Sequence, residues 1–336
     1  MHIIREVYFG WSLRYIHSSG ASFVFAFVFC HVARALHYGS YYYIPNTWSS
    51  GILLFFFLMM IAFMGYVLPW GSMSFWGATV ITNLLSPVPC LVEWVCGGFF
   101  VENPTLSRFF VFHFILPGIT IALIFVHLFY LHHLSSNNPL GNNTNNKIPF
   151  FPFIFSKDIF GFCIFIFNVG AAQTFFGFLS LSHPDNAFEV SGLVTPLHIV
   201  PEWYFLSFYA ILKAIPSKNA GFMILFSSIF MLFLFAESLL AKPQVRGAEN
   251  ISFLSFIPPP LPHLSRLSLY NGNFSISCFM LSFLSFLWIG AQLPQEVFIF
   301  YGRLLTLLWA LLATRAVGGD RPSLAMELHL WYEARP

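Results

Sequence analysis

HSSGASFVFAFVFCH (His17–His31) and HFILPGITIALIFVH (His113–His127) decide how this chain folds. Each is an apolar run closed at both ends by histidine, and each pair stands 14 positions apart. On a helix of 3.6 residues per turn, 14 steps stop about 40° short of four full turns. Both histidines of a pair therefore share one face, about 21 Å apart along the axis. With their flanks, both runs reach the roughly 20 apolar residues needed to cross a bilayer. One reversal of the chain between them, and a second at the start of the later run, makes the two helices parallel. His17 then lies at the depth of His113, and His31 at the depth of His127.

Composition agrees with a membrane setting. Of 336 residues, 57% are hydrophobic and only 8% charged, whereas a water-facing domain carries about 25% charged residues. A net charge of +2 gives no reason to expect nucleic acid as a partner. Cys30, Cys90, Cys96, Cys163 and Cys278 are scattered through mostly apolar sequence, in no disulfide or thiolate-metal pattern. The expected class is an all-α membrane protein, a bundle of seven spans at 11–38, 51–68, 108–134, 159–181, 221–241, 273–292 and 299–315. The proline-broken stretches 69–107 and 182–220 are expected to fold back as short interfacial pieces. The organisation expected is histidine-bearing helices over 1–135, C-terminal helices over 136–315 and a tail at 316–336. Arg34, Lys147, Lys157, Lys242, Arg246, Arg266, Arg315, Arg321 and Arg335 fall on one side of this scheme, and the six other cations on the opposite side. That excess places the C-terminus on the negative side.

Two rungs of facing imidazoles, one near each membrane face, suit two haems held edge-on between helices. Gly51 and Gly65 are also 14 apart. They form a stripe on the intervening helix where a flat macrocycle could approach the backbone. Arg14, Arg34 and Arg108 sit near the histidines at helix ends, where a propionate would want a cation. Two rivals remain on this pattern alone: another di-haem membrane anchor, and a transporter that relays protons through histidine. The second should carry paired broken helices from internal repeats, and none is found.

Four further segments narrow the choice: MGYVLPWGSMSFWGATVITNLLS (Met64–Ser86), RFFVFHFILP (Arg108–Pro117), SHPDNA (Ser182–Ala187) and PEWYFLSFYAIL (Pro201–Leu212). Together they resemble mitochondrial-type cytochrome b of the respiratory bc1 complex, and among its members the protist versions most. The resemblance runs from about His2 to about Tyr301. It implies quinol oxidation and quinone reduction with electron transfer across the membrane through two b-type haems. That is the role of the central, catalytic subunit of quinol–cytochrome c oxidoreductase (complex III), coupled to proton translocation. His17 and His113 would ligate the low-potential haem, and His31 and His127 the high-potential one. Arg14, Arg34, Ser40 and Trp48 match positions near the propionates. The quinol-oxidation pocket would be lined by Phe63, Tyr66, Met73, Gly77 and Ile81, with Pro201, Glu202, Phe208 and Tyr209 opposite. Glu202, Tyr209 and Tyr66 are its catalytic candidates. Quinone reduction would use His132, Ser136, Lys157 and Asp158.

The same resemblance implies ubiquinol and ubiquinone as substrates at two sites, and the mitochondrial inner membrane as a multi-pass location. It implies as partners the Rieske iron–sulfur protein, cytochrome c1 and other complex III subunits, in a dimer of complexes within membrane lipid. Met1 aligns where the family already has an amphipathic helix and one span behind it. A separate N-terminal cytochrome b fragment, or another subunit in its place, is therefore expected. Ser207 stands where relatives usually have proline, and 316–336 matches nothing in the family.

Overall fold

Backbone sterics, not hydropathy, set where the helices begin. The computed structural model describes residues 2–138, 147–176, 183–192, 194–237 and 262–318. Residues 177–181, 238–241 and 319–336, parts of two expected spans and of the tail, lie outside the described residues, as do Ser182, Lys242, Arg246, Arg321 and Arg335. The helices are α1 (His2–Glu6), α2 (Gly10–His37), α3 (Ser40–Tyr43), α4 (Pro45–Val67), α5 (Ser72–Leu84) and α6 (Leu91–Cys96). They continue as α7 (Asn103–Leu134), α8 (Phe155–Phe176), α9 (Leu206–Ala214), α10 (Lys218–Glu237), α11 (Pro262–Ala291) and α12 (Glu296–Gly318). Among the described residues there is no β-strand, only an isolated bridge between Gly71 and Glu189. Six helices among the described residues are long and apolar enough to cross a membrane, and Ile276–Ala291 within α11 is a shorter apolar stretch.

The start of α4 lies six residues before the expected span, because Pro45 opens the helix. Proline has no N–H to lose there, and its fixed φ is already helical. The start of α7 is likewise set by the turn before it. Thr105 donates to the Cys96 carbonyl (2.7 Å) and accepts from the Glu102 N–H (3.2 Å). Inside α7, Pro117 removes the amide that would have bonded the carbonyl four residues back, that of His113. Almost nothing of α7 or α8 is buried, and phenylalanines such as Phe114, Phe160 and Phe167 face outward. That surface suits lipid and would be a liability in water. The stretch 69–107 contains α5 and α6, and 182–220 contains two short 3-10 turns and α9.

The chain forms two compact units. The first comprises Met1–His31, Met60–Ile115 and Asn142–Tyr204, and the second Val32–Met59, Leu116–Gly141 and Phe205–Pro336. In the first, the buried residues include Phe25, Val67, Met73, Ala78, Phe109 and Tyr204. In the second, Trp48, Ile52, Phe235, Phe286, Ile289 and Trp309 form one cluster, with the Trp48 and Phe235 rings stacked at 6.4 Å.

Helix α9 is gripped in that second unit. A Cβ at Gly290 would run into the Leu206 carbonyl, and one at Gly302 would stand 3.1 Å from the Ala214 Cβ. Small residues let the helices approach this closely. The Lys213 ammonium donates to the carbonyls of Gly290 (2.8 Å) and Gln292 (2.7 Å) at the end of α11. Arg303 of α12 in turn donates to the Ala214 carbonyl (2.9 Å) at the end of α9. Each cation satisfies helix-end carbonyls that lack intrahelical partners.

Candidate functional site

The histidines fall on α2 and α7, one pair on each. His17 and His113 face each other in the first unit, their ring centres 6.1 Å apart and their planes at 82°. The His113 Nδ1 lies 2.8 Å from the Ile61 carbonyl oxygen on α4. A carbonyl only accepts, so Nδ1 carries the proton and Nε2 keeps the lone pair that a metal would take. This approach is open because the residue one turn after Ile61 is Gly65. A Cβ there would run into the His113 ring.

His127 makes a related arrangement in the second unit. Its Nδ1 lies 2.9 Å from the Ser50 hydroxyl, which is itself 3.0 Å from the Thr47 carbonyl. Gly51 stands beside it, where a Cβ would come 3.1 Å from the ring. Thus both glycines of the 14-residue stripe touch a histidine ring. His31 lies on α2 and is exposed.

These residues fit haem. Two imidazoles binding one iron through their near nitrogens, at about 2 Å each, place their ring centres about 6 Å apart. That agrees with the separation of His17 and His113. Among the described residues no group of three or more His, Cys, Asp or Glu side chains could hold a bare metal ion. Haem needs only one histidine on each face.

The expected propionate partners behave differently from one another. Arg34 sits over the Tyr38 ring at 5.8 Å. Ser40 donates to the Asn137 side-chain oxygen (2.9 Å), and Asn137 donates to the Tyr38 carbonyl (2.8 Å). The Trp48 indole N–H is committed to the Leu232 carbonyl (2.7 Å), so what it can offer is packing. Arg14 is half-buried on α2.

Most of the expected quinol pocket lies in the first unit. Glu202 is partly buried, and burial pushes its carboxyl up to about 7, with nearby Tyr66 pulling slightly the other way. The Tyr66 hydroxyl is buried without a hydrogen bond of full geometry. It is close enough to favour the Glu202 carboxylate, but not to hold it firmly. Tyr204 is pushed up by burial, and the Glu202 charge adds to the effect. Phe63 packs edge-on against Phe109 at 5.6 Å. Met73 is wholly buried, Ile81 and Pro201 are half-buried, and a Cβ at Gly77 would meet nothing, so α5 is thin there. Phe208 and Tyr209 belong to the second unit. Phe208 lies against Phe55 (6.3 Å), and Tyr209 lies beneath the Lys213 ammonium (4.8 Å). Burial raises Tyr209 and lowers Lys213 to about 8. Ser207 is buried on α9, with its hydroxyl toward the Phe283 carbonyl at 3.4 Å. Of the quinone-reduction candidates, Lys157 and Asp158 belong to the first unit and His132 and Ser136 to the second; all four are exposed.

Three positioning contacts were not visible in the sequence. The Trp203 indole donates to the Ser22 hydroxyl (3.2 Å), and the Tyr204 ring stacks on Phe25 at 4.1 Å, both on α2. Asn186 accepts the Ser74 amide proton (2.9 Å) in the first turn of α5, filling the role of an N-cap that Gly71 cannot play. The only signal for any of them was the presence of the motifs that contain them.

A polytopic helical membrane protein with histidines paired across facing helices is thus the class that fold and site define. The family Cytochrome b/b6/petB matches residues 1–135, and Cytochrome b(C-terminal)/b6/petD matches 189–259. Cytochrome b of Plasmodium chabaudi is 49% identical over 310 residues, 92% of this chain and 77% of that protein. Cytochrome b of Toxoplasma gondii is 44% identical over 309 residues, 92% of this chain and 79% of that one. Among solved structures, a chain of a hyperthermophilic respiratory complex III superposes with a TM-score of 0.75 at 27% identity, covering 94% of this chain and 80% of its own. This chain belongs to the cytochrome b family, with its similarity directed toward protist members.

Proposed function

We propose that the chain is the quinol-oxidising, quinone-reducing subunit of a mitochondrial complex III, working with two b haems. The facing of His17 and His113, with the Nδ1 proton of His113 anchored on Ile61, carries this reading beside the family membership. His17 and His113 would hold one haem near the positive side of the membrane, and His31 and His127 the other near the negative side. Haems at these levels would supply one-electron carriers between the two faces. The glycine stripe keeps both levels clear of side chains, and the Ile61 contact fixes which nitrogen His113 presents.

Glu202 is the proton acceptor for quinol. Its carboxyl is held near 7, so at neutral pH it can take a proton from a quinol hydroxyl and release it again. The thin face at Gly77, with Phe63 and Ile81, would receive the flat head group. Tyr66 and Tyr209 would orient it, and Pro201 and Phe208 would limit water access. On the opposite side His132 and Asp158 offer a donor and an acceptor for the two quinone carbonyls, with Lys157 supplying charge and Ser136 a hydroxyl. The substrate pair inferred is ubiquinol and ubiquinone. The partners inferred are the Rieske protein, cytochrome c1 and further complex III subunits in a dimer.

The test is a reduced-minus-oxidised spectrum of the complex containing this chain. Two b-type components of different midpoint, titrating one haem each per chain, are expected. Absence of any b-type absorbance overturns the reading.

A further inference from the structure

On α4, the acceptors for the two imidazoles are placed by one rule and filled in two ways. His113 donates to the carbonyl of Ile61, four residues before Gly65. The equivalent position for His127, four residues before Gly51, is the carbonyl of Thr47. His127 does not use it directly: the Ser50 hydroxyl stands between, 2.9 Å from Nδ1 and 3.0 Å from the Thr47 oxygen. A hydroxyl has one proton. When Ser50 gives it to Thr47, its oxygen must accept from His127, and the Nδ1–H tautomer follows.

We propose that Ser50 is a positioning residue for His127, interposed so that this ligand donates to a hydroxyl where its counterpart donates to an amide carbonyl. The proposal rests on the reading that His127 binds a haem iron. The partner of the non-ligating nitrogen sets a ligand's orientation and basicity. An amide carbonyl is the stronger acceptor, and it makes the ring a better electron donor and favours ferric iron. A hydroxyl withdraws less of the Nδ1 proton, so the haem on His127 is held at the higher potential of the two. One relay residue therefore helps separate two sites that the helix repeat would otherwise make alike.

The experiment is a potentiometric titration of the intact complex, with paramagnetic resonance of the ferric haems alongside. It compares wild type with Ser50→Ala and Ser50→Thr, and His31→Ala identifies the component belonging to this level. In Ser50→Ala the ring can reach the Thr47 carbonyl as His113 reaches Ile61. The higher midpoint should fall toward the lower one, the g-values of that haem alone should move, and the other haem should stay unchanged. Ser50→Thr keeps the hydroxyl and should stay close to wild type. An unmoved or raised midpoint in Ser50→Ala, equal displacement of both haems, or a Thr variant that moves as far as Ala overturns the proposal. If wild type itself shows no second b component, it is the proposed function that fails, and the two failures are thus distinct.

Discussion

The Trp203 indole is hydrogen-bonded to the Ser22 hydroxyl at 3.2 Å, across 181 positions of sequence. This contact, with Tyr204 stacked flat on Phe25, ties the segment carrying Glu202 to α2, five residues beyond His17. A side-chain hydrogen bond of this kind contributes about 1 kcal/mol, and the aromatic stack about as much again. Ser22→Ala should therefore leave the b-type spectrum intact. Quinol turnover should fall several-fold and thermal inactivation should come earlier. Trp203→Phe, which removes the same donor, should match it, and the double variant should be no worse than either alone.

Glu202 should impose a pH limb on turnover. Its carboxyl is raised by burial from the usual 4.5 to about 7, so the accepting carboxylate form gains population as pH rises through about 7. Quinol oxidation should rise over that range. Glu202→Gln should flatten the limb and slow turnover more than it weakens quinol binding. The stability consequence has the opposite sign. Between about 4.5 and 7 the folded state binds a proton that the unfolded chain releases, so this group's contribution is full below 4.5 and is lost as pH rises through 7. Turnover and urea titrations across pH 5–8 measure the two effects separately.

Adding a methyl group to the glycine stripe should grade with the space available. A Cβ at Gly65 collides with the His113 ring, whereas one at Gly51 comes to 3.1 Å from His127. Gly65→Ala should lose most of one b-type component, and Gly51→Ala should keep its haem with a displaced midpoint. Difference spectra normalised to chain content decide this.

His31 should be separable from His17. On the proposed haem assignment, replacing His31 with alanine would remove one ligand of the His127 level and leave the His17–His113 pair, with its Ile61 anchor, untouched. One b-type component should disappear and the other persist at full occupancy. Survival of both would break the pairing by depth.

What could be read from the sequence was whatever repeats at the helical period. The histidine pairs and the Gly51–Gly65 stripe follow from 14-residue spacing alone, and the structure puts a histidine ring against each glycine. Helix starts were misjudged where hydropathy and backbone disagree: residues 45–50 are mostly polar, yet Pro45 begins α4. Ser50 carried no signal, being one hydroxyl in a short polar run. Trp48, expected near a propionate on resemblance, spends its donor on the Leu232 carbonyl, a partner 184 positions away that no local pattern specifies. The contacts of Asn186 and Ser22 were hidden for the same reason. Each joins a helix to a loop far along the chain, and tertiary pairings of that kind leave no periodic trace.

The Asn186 contact bears on how the protein is made. The amide of Ser74 in the first turn of α5 finds its acceptor 112 positions further on. Chains emerge from the ribosome N-terminus first, so α5 leaves it with that amide unsatisfied while more than a hundred residues are still to be translated. The first turn of α5 is completed only by a latch synthesised two spans later.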